Sequence, residues 1–246
     1  MWSDDTSPAR EDTTITTIDE ALDNPAWHSL TGFHAHLAQG TGAARRYRPS
    51  VSPFVGLRDV TDPQAWADLA ALVGPGQEVP IAGGADEVPD GWVRGWTLPG
   101  VQMVGTDRLA GVPDDESTVL GADDVPDMLD LTARTKPGPF APETYLMGTY
   151  RGIRRDGRLV AMAGERLRPG GATEVSAVCT DEAVRGQGFA SRLVLAVAHG
   201  IQARGELPIL HAAGSNEGAI RLYRSLGFEI RKQVVFGSVH TPGVQP

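Results

Sequence analysis

The stretch "VCTDEAVRGQGFASRL", residues 178–193, most restricts what this chain can become. A strand-like run ends in an acidic turn, and Arg-Gly-x-Gly then opens an amphipathic segment. That segment runs from about Gly188 to Arg204, with Phe189, Leu193, Val197 and Ile201 four apart on one stripe and Gly205 where a C-cap would stand. A strand that passes through a glycine turn into a helix start makes an anion site. The first N–H groups of the helix lack intrahelical partners, and the macrodipole places partial positive charge there. Gly186 and Gly188 let the backbone approach a ligand, and Arg185 adds a planar fork suited to phosphate oxygens. Spacing excludes two nucleotide motifs. A P-loop needs Gly-Lys-Ser/Thr, which is absent, and the G-x-G-x-x-G fingerprint fails because "GQGFAS" ends in Ser191.

Around this turn the pattern is regular beyond Gly100. "VQMVG" reads as a strand, and "DDVPDMLDLTART" as a helix carrying Val125, Met128, Leu129 and Leu131. "TYRGIRRDGRLVAMAGERL" is two extended segments joined at Asp156-Gly157, a hairpin signal, and "TEVSAVCT" follows as a strand. After the central helix come a strand "LPILHAA", a capped helix "SNEGAIRLYRSLG" ending at Gly227, and one or two closing strands in "FEIRKQVVFGSV". The order β-α-ββ-β-α-β-α-β predicts a layered α/β fold with a mixed sheet. Earlier in the chain the signals are shorter. "DPQAWADLAALVG" is a helix with Asp62 as cap, Pro63 at the first position and Trp66, Leu69, Leu72 and Val73 at helical spacing. "WHSLTGFHAHLA" is a weaker helix around a glycine, and "GADEVPDGWVRGWTLPG" reads as turns and short extended pieces. Three parts are expected: a disordered acidic start over residues 1–18, an accessory region over 19–98, and the main domain over 99–246.

Composition narrows the partners. A formal charge of −9 disfavours a nucleic-acid binder, which needs a Lys/Arg surplus. One cysteine, Cys179, excludes an intrachain disulfide and a multi-cysteine metal site, and it reads as a buried structural thiol. His28, His34 and His36 cluster in sequence without a completing Cys or acid, so no metal is expected; His199 and His211 read as hydrogen-bonded within the fold. The "RRYR" run at 45–48 is too short for nucleic-acid recognition. No apolar run is long enough to cross a bilayer, and "MWSDDTSPAREDTT" lacks the basic and apolar regions of a signal peptide. These features predict a cytoplasmic protein that binds no membrane.

Arg185, Gly188 and Ala190 form R-x-x-G-x-A, which resembles the signature [Q/R]-x-x-G-x-[G/A] of the GNAT family, the Gcn5-related N-acetyltransferases. "SNEGAIRLYRSLGFE" resembles the family's second signature and is most like its FR47-like subgroup; the resemblance covers roughly residues 100–240. It implies a mostly antiparallel sheet flanked by helices, and transfer of an acetyl group from acetyl-CoA, as cosubstrate, to a primary amine on a small molecule or peptide. The backbone N–H groups of Gln187, Gly188, Phe189, Ala190 and Ser191, beside Arg185 and Gly186, would hold the pyrophosphate. Val178, Cys179 and Thr180 would align the pantetheine arm and offer a donor to the thioester carbonyl. Asn216 matches the asparagine that bonds that arm, although Asn also caps helices. Tyr223 matches the general acid, although Ile220, Tyr223 and Leu226 also form a core stripe. For the base, Glu174 is the first candidate, directly or through water, because strict alternation places it on the face of Val178 and Thr180; Glu165 is second. Two rivals stand beside this reading: a longer acyl donor, or a CoA-binding module without catalysis. The last strand could also pair with a second copy of the chain.

Overall fold

The computed structural model describes residues 17–82 and 88–243. Most of the acidic start expected to be disordered, residues 1–16, lies outside them; Thr17 already caps the first helix, accepting from the Glu20 amide while Glu20 Oε2 accepts from the Thr17 amide at 2.8 Å.

The first part of the chain contributes α1 (Ile18–Asp23), α2 (Pro25–Thr31), β1 (Ala38–Gln39), β2 (Ala44–Tyr47), β3 (Val55–Leu57), α3 (Pro63–Val73), β4 (Glu78–Ala82) and β5 (Val93–Gly105). Next come β6 (Thr118–Leu120), α4 (Val125–Thr135), β7 (Tyr150–Arg155), β8 (Arg158–Glu165) and β9 (Ala172–Thr180). The chain closes with α5 (Phe189–Ala203), β10 (Leu207–Ala213), α6 (Glu217–Leu226) and β11 (Phe228–His240). The helix over "DPQAWADLAALVG" forms as read, with the Asp62 side chain accepting from the Gln64 amide at 2.9 Å and Trp66 and Leu69 buried. The weaker segment is cut at its glycine: α2 stops at Thr31, and His34 turns inward to bond the Tyr47 hydroxyl (2.9 Å) and the Met147 carbonyl (2.8 Å).

The eleven strands of the described residues lie in one sheet, ordered β1-β2-β3-β4-β11-β5-β10-β9-β8-β7-β6. Pairing is antiparallel except at β3–β4 and β9–β10. The expected boundary between residues 98 and 99 falls inside β5, which joins "VQMVG" to the preceding segment as one strand and inserts between β10 and β11. Glycine and proline made that segment look broken. Yet β10 pairs with β5 only from Gly100 onward, so Pro99 sits where the strand has lost one neighbour and its missing N–H costs little. "FEIRKQVVFGSV" is a single strand, with register shifts between Ile230 and Lys232 and between Gly237 and Val239.

The two faces of the sheet carry separate cores. On one face α5 buries Phe189, Leu193, Val194, Val197 and Ile201 against Val101, Met103, Val175 and Leu210, joined by Tyr223 and Phe228. Each fully buried Leu, Ile, Val or Phe contributes about 1.5–3 kcal/mol, so this helix is anchored by its stripe. On the opposite face Met128 and Leu131 of α4 cover Met162 and Cys179, and Leu22 of α1 covers Ala172 and Ile209.

Candidate active site

The parallel strands β9 and β10 pair only at Ala172–Leu207, Thr173–Pro208 and Glu174–Ile209, then diverge. A cavity of about 800 Å³ fills the gap. The cause of the divergence lies in β9. Between the pairs Gly164–Ser176 and Met162–Cys179 the strand carries one residue more than its partner β8, and Ala177 takes up the excess at φ +51°. A left-handed alanine costs about 1–2 kcal/mol, which the flanking sheet offsets. Backbone groups of β9 that would have met β10 face the cavity instead.

The bulge also reverses side-chain alternation. Val178 packs in the core with Val175, whereas Cys179 joins the α4 face. Glu174 therefore does not share a face with Val178 and Thr180, and the expectation that it borders the cleft is corrected: it is fully buried and absent from the cavity wall. Its Oε2 accepts from Arg166 Nε (2.8 Å), and its Oε1 accepts from Arg166 Nη2 (2.7 Å) and His211 Nδ1 (2.7 Å). Although burial raises a carboxyl pKa, Arg166 and His211 outweigh it and hold Glu174 well below the usual carboxylate range. A carboxylate so paired accepts protons poorly. Glu165, the second candidate, is also buried, bonded to Arg204 Nη1 at 3.0 Å, and outside the cavity lining.

The remaining expected residues converge, Gln187 excepted. The diverging end of β9 supplies Val178, Cys179 and Thr180; the turn supplies Arg185 and Gly186; the start of α5 supplies Gly188, Phe189, Ala190 and Ser191. Gln187 is exposed and outside the lining. Gly186 and Gly188 stand at φ +81° and +79°, and an added Cβ at either would meet nothing within 4 Å. Their backbone conformation, not crowding, is what calls for glycine. The first intrahelical bond runs from the Arg192 amide to the Gly188 carbonyl (3.1 Å), leaving the amides before it to a ligand.

From α6 come Asn216 and Tyr223. Asn216 Oδ1 accepts from the Ala219 amide (3.1 Å), so the residue caps the helix while its amide N–H groups stay available. Tyr223 is 8% exposed, packs edge-on to Phe228 at 6.2 Å, and its hydroxyl has no hydrogen-bond partner among the described residues. Burial pushes that hydroxyl up to about 12. Burial likewise pushes the Cys179 thiol up to about 11, so it remains a thiol at neutral pH, packed among apolar side chains.

The cavity's charge is one-sided. Lys136, Arg166 and Arg185 line it, with no Asp or Glu, in a chain of net charge −9. Arg166 is matched by Glu174, whereas Lys136 and Arg185 form no ion pair among the described residues. Thr180 Oγ1 is buried on the wall without a hydrogen-bond partner. The unpaired cations on this wall suit an anionic ligand. Among the described residues no group of three or more His, Cys, Asp or Glu could hold a metal ion, and no helix is long and apolar enough to cross a membrane.

His211, read from the sequence as an ordinary hydrogen-bonded histidine, lines this cavity and a second one of about 340 Å³. The second cavity lies between α1 and the β10–β5–β11 portion of the sheet, bordered by Leu22, Gln102 and Phe236. Nothing in the local sequence marks His211, because its partners come from residues 102 and 174.

Comparison with known proteins agrees with this geometry. The family described as FR47-like protein matches residues 150–236. A curated mycothiol acetyltransferase of Thermomonospora curvata is 36% identical over 101 residues, 40% of this chain; the match spans 32% of that protein's length. A GCN5-related N-acetyltransferase from Kribbella flavida shares the fold at 21% identity, with a TM-score of 0.54 over 89% of this chain and 94% of its own. A crystal structure of a GNAT-family protein from Novosphingobium aromaticivorans superposes with a TM-score of 0.81 at 39% identity, covering 89% of this chain and 98% of that one. Such identity, carried over nearly the whole of both chains, settles the ancestry: this chain belongs to the GNAT family of acetyltransferases.

Proposed function

We propose that the protein transfers an acetyl group from acetyl-CoA to a primary amine by direct attack in a ternary complex. The observation that carries this is the cleft itself, acid-free and lined by Lys136 and Arg185 beside two left-handed glycines at the start of α5. The amides at the start of α5, with Arg185, bind the pyrophosphate, and Asn216 holds the arm. Acetyl-CoA brings the acyl group already activated, so no covalent enzyme intermediate is required. The freed N–H groups of β9 at Val178–Thr180 stabilise the oxygen as attack proceeds. Alignment of amine and thioester supplies much of the rate.

Tyr223 returns a proton to sulfur as the C–S bond breaks. A hydroxyl at about 12 is a weak acid, but a thiolate leaving in a poorly hydrated cavity is also more basic than in water. The two groups are thereby brought closer in proton affinity. Residues 19–98 act as an accessory region whose α1 walls the second cavity.

The test is calorimetric titration of acetyl-CoA into wild type, Gly188→Asp and Gly205→Asp. Both glycines are left-handed, at φ +79° and +73°, so the substitutions share backbone strain. Only the first places a carboxylate at the phosphate loop. Binding to wild type and Gly205→Asp but not to Gly188→Asp is expected; no binding to any of the three would end the proposal.

A further inference from the structure

Resting on that reading, we propose that the second cavity receives the acceptor, a compact monoamine with an apolar or aromatic body, and that His211 takes its ammonium proton while Glu174 fixes the ring. The hydrogen-bond chain leaves one assignment of protons. Arg231, the extra residue of the first β11 bulge, can only donate, so Gln102 Oε1 accepts from it (2.9 Å). The Gln102 amide nitrogen therefore faces inward and donates to the Leu22 carbonyl (2.8 Å) and to His211 Nε2 (3.1 Å). At the other end Glu174 can only accept, so His211 Nδ1 carries the hydrogen. Nε2 thus turns its lone pair toward Gln102, and both residues line the second cavity. An acceptor that displaces Gln102 from Nε2 meets a proton acceptor backed by a fixed carboxylate, on the wall shared with the thioester's cavity.

The step balances without a further reagent. R–NH3+ gives one proton to His211 Nε2, the freed lone pair forms the N–C bond, and the C–S bond breaks. Tyr223 delivers its proton to sulfur and is reprotonated, through solvent, by the nitrogen's second proton, and the imidazolium releases its own proton to solvent. The charged groups packed around His211 are Glu174 with Arg166, Arg231 and Lys232 of β11, and Asp23 of α1.

The cavity's chemistry names the acceptor class. Its volume of about 340 Å³, at about 30 Å³ per water-sized group, holds roughly eleven non-hydrogen atoms. Its lining is mixed, but Leu22 and Pro25 on one side and Val234 and Phe236 on the other leave an apolar patch for the amine's body. Gly100 makes that floor possible, because a Cβ there would strike the Phe236 ring, which lies edge-on to His211 at 6.0 Å. The only carboxylate in the lining, Asp23, is already held by Arg231 (2.9 Å) and Lys232 (3.0 Å). Nothing free remains there to bind a second ammonium, which disfavours polyamines and lysine-rich peptides.

Thiol release from acetyl-CoA tests this, with phenethylamine and spermidine as acceptors and acetyl-CoA binding measured in parallel by calorimetry. We expect kcat/KM for phenethylamine at least tenfold above spermidine. His211→Gln should lower kcat by about 100-fold or more and abolish the rise of rate with pH, while acetyl-CoA affinity stays within about threefold. Phe236→Trp, which narrows the cavity and leaves the Gln102, His211 and Glu174 side chains themselves unchanged, should raise the KM for phenethylamine about tenfold and that for methylamine far less. This second variant keeps the test valid if His211→Gln folds poorly. Equal use of the two amines, no turnover of either, or a folded His211→Gln enzyme with wild-type kcat and pH profile overturns the inference while acetyl-CoA binding stands. Loss of acetyl-CoA binding in the wild type overturns the transferase reading instead.

Discussion

Replacing Glu174 with glutamine preserves shape and removes the one charge on which Arg166 and His211 converge. In the native protein its two oxygens accept two bonds from Arg166, one from His211 and a longer one, 3.3 Å, from the Leu167 amide. A glutamine must aim N–H at one of these donors and leave the Arg166 cation buried without its counter-charge. Breaking a buried pair in this way costs about 3–5 kcal/mol. For a chain of 246 residues each kcal/mol moves Tm by about 2–4 °C, so a fall of about 6–20 °C is expected at pH 7. The pH dependence follows from the sign of the shift. The folded carboxyl titrates below its ordinary value of 4.5, so its stabilisation is complete above that value and is lost progressively as pH falls from there toward the lower folded one. Melting curves from pH 8 to 3 should show a constant gap between wild type and Glu174→Gln down to about pH 5, narrowing below. A double variant, Arg166→Met with Glu174→Leu, should melt well above the single one, since it leaves no charge unpaired and only the bonds from His211 and the Leu167 amide unmade, about 0.5–1.5 kcal/mol each. A single variant within about 2 °C of wild type at pH 7, or a gap that persists unchanged to pH 3, would refute this account.

Tyr223→Phe should lower kcat by about 100-fold or more with acetyl-CoA affinity unchanged, and wild-type kcat should not decline between pH 8 and 10, because the hydroxyl stays protonated up to about 12. Lys136→Ala and Arg185→Ala should each weaken acetyl-CoA binding about tenfold by calorimetry, with less salt dependence than wild type. Burial pushes His34 down to about 4, so the unfolded chain binds a proton first and stability should fall as pH drops from about 6.5 to 4. His34→Gln should flatten that slope in urea titrations.

Much of the fold beyond Gly100 could be read in advance because its signals are local. The Asp156-Gly157 turn, the four-residue stripe of α5 and the Asn216 cap each involve neighbours in sequence. The glycine turn into α5 was legible for the same reason, since the left-handed Gly186 and Gly188 are a property of their own backbone. What escaped was set by distance. One extra residue at Ala177 moved Glu174 off the cleft, and alternation counted from sequence has no means of registering a bulge. His211 gained its hydrogen-bond partners, Gln102 and Glu174, through strand register alone. The strand through Pro99 and Gly100 was hidden because its residues contradict β propensity, and pairing along β11 overrides them.

The insertion of β5 between β10 and β11 also orders events in time. A ribosome delivers β5 long before either neighbour, and β11 is the last strand of the described chain to emerge. Until β10 emerges β5 has no partner strand, and until β11 follows its other edge stays open and the sheet beneath the second cavity is incomplete. Contacts this distant in sequence make closure slow and leave a long unpaired strand exposed while the rest is synthesised. The nascent protein is most open to misassembly, and to capture by a chaperone, in the interval between the birth of β5 and the arrival of the strand that locks it in place.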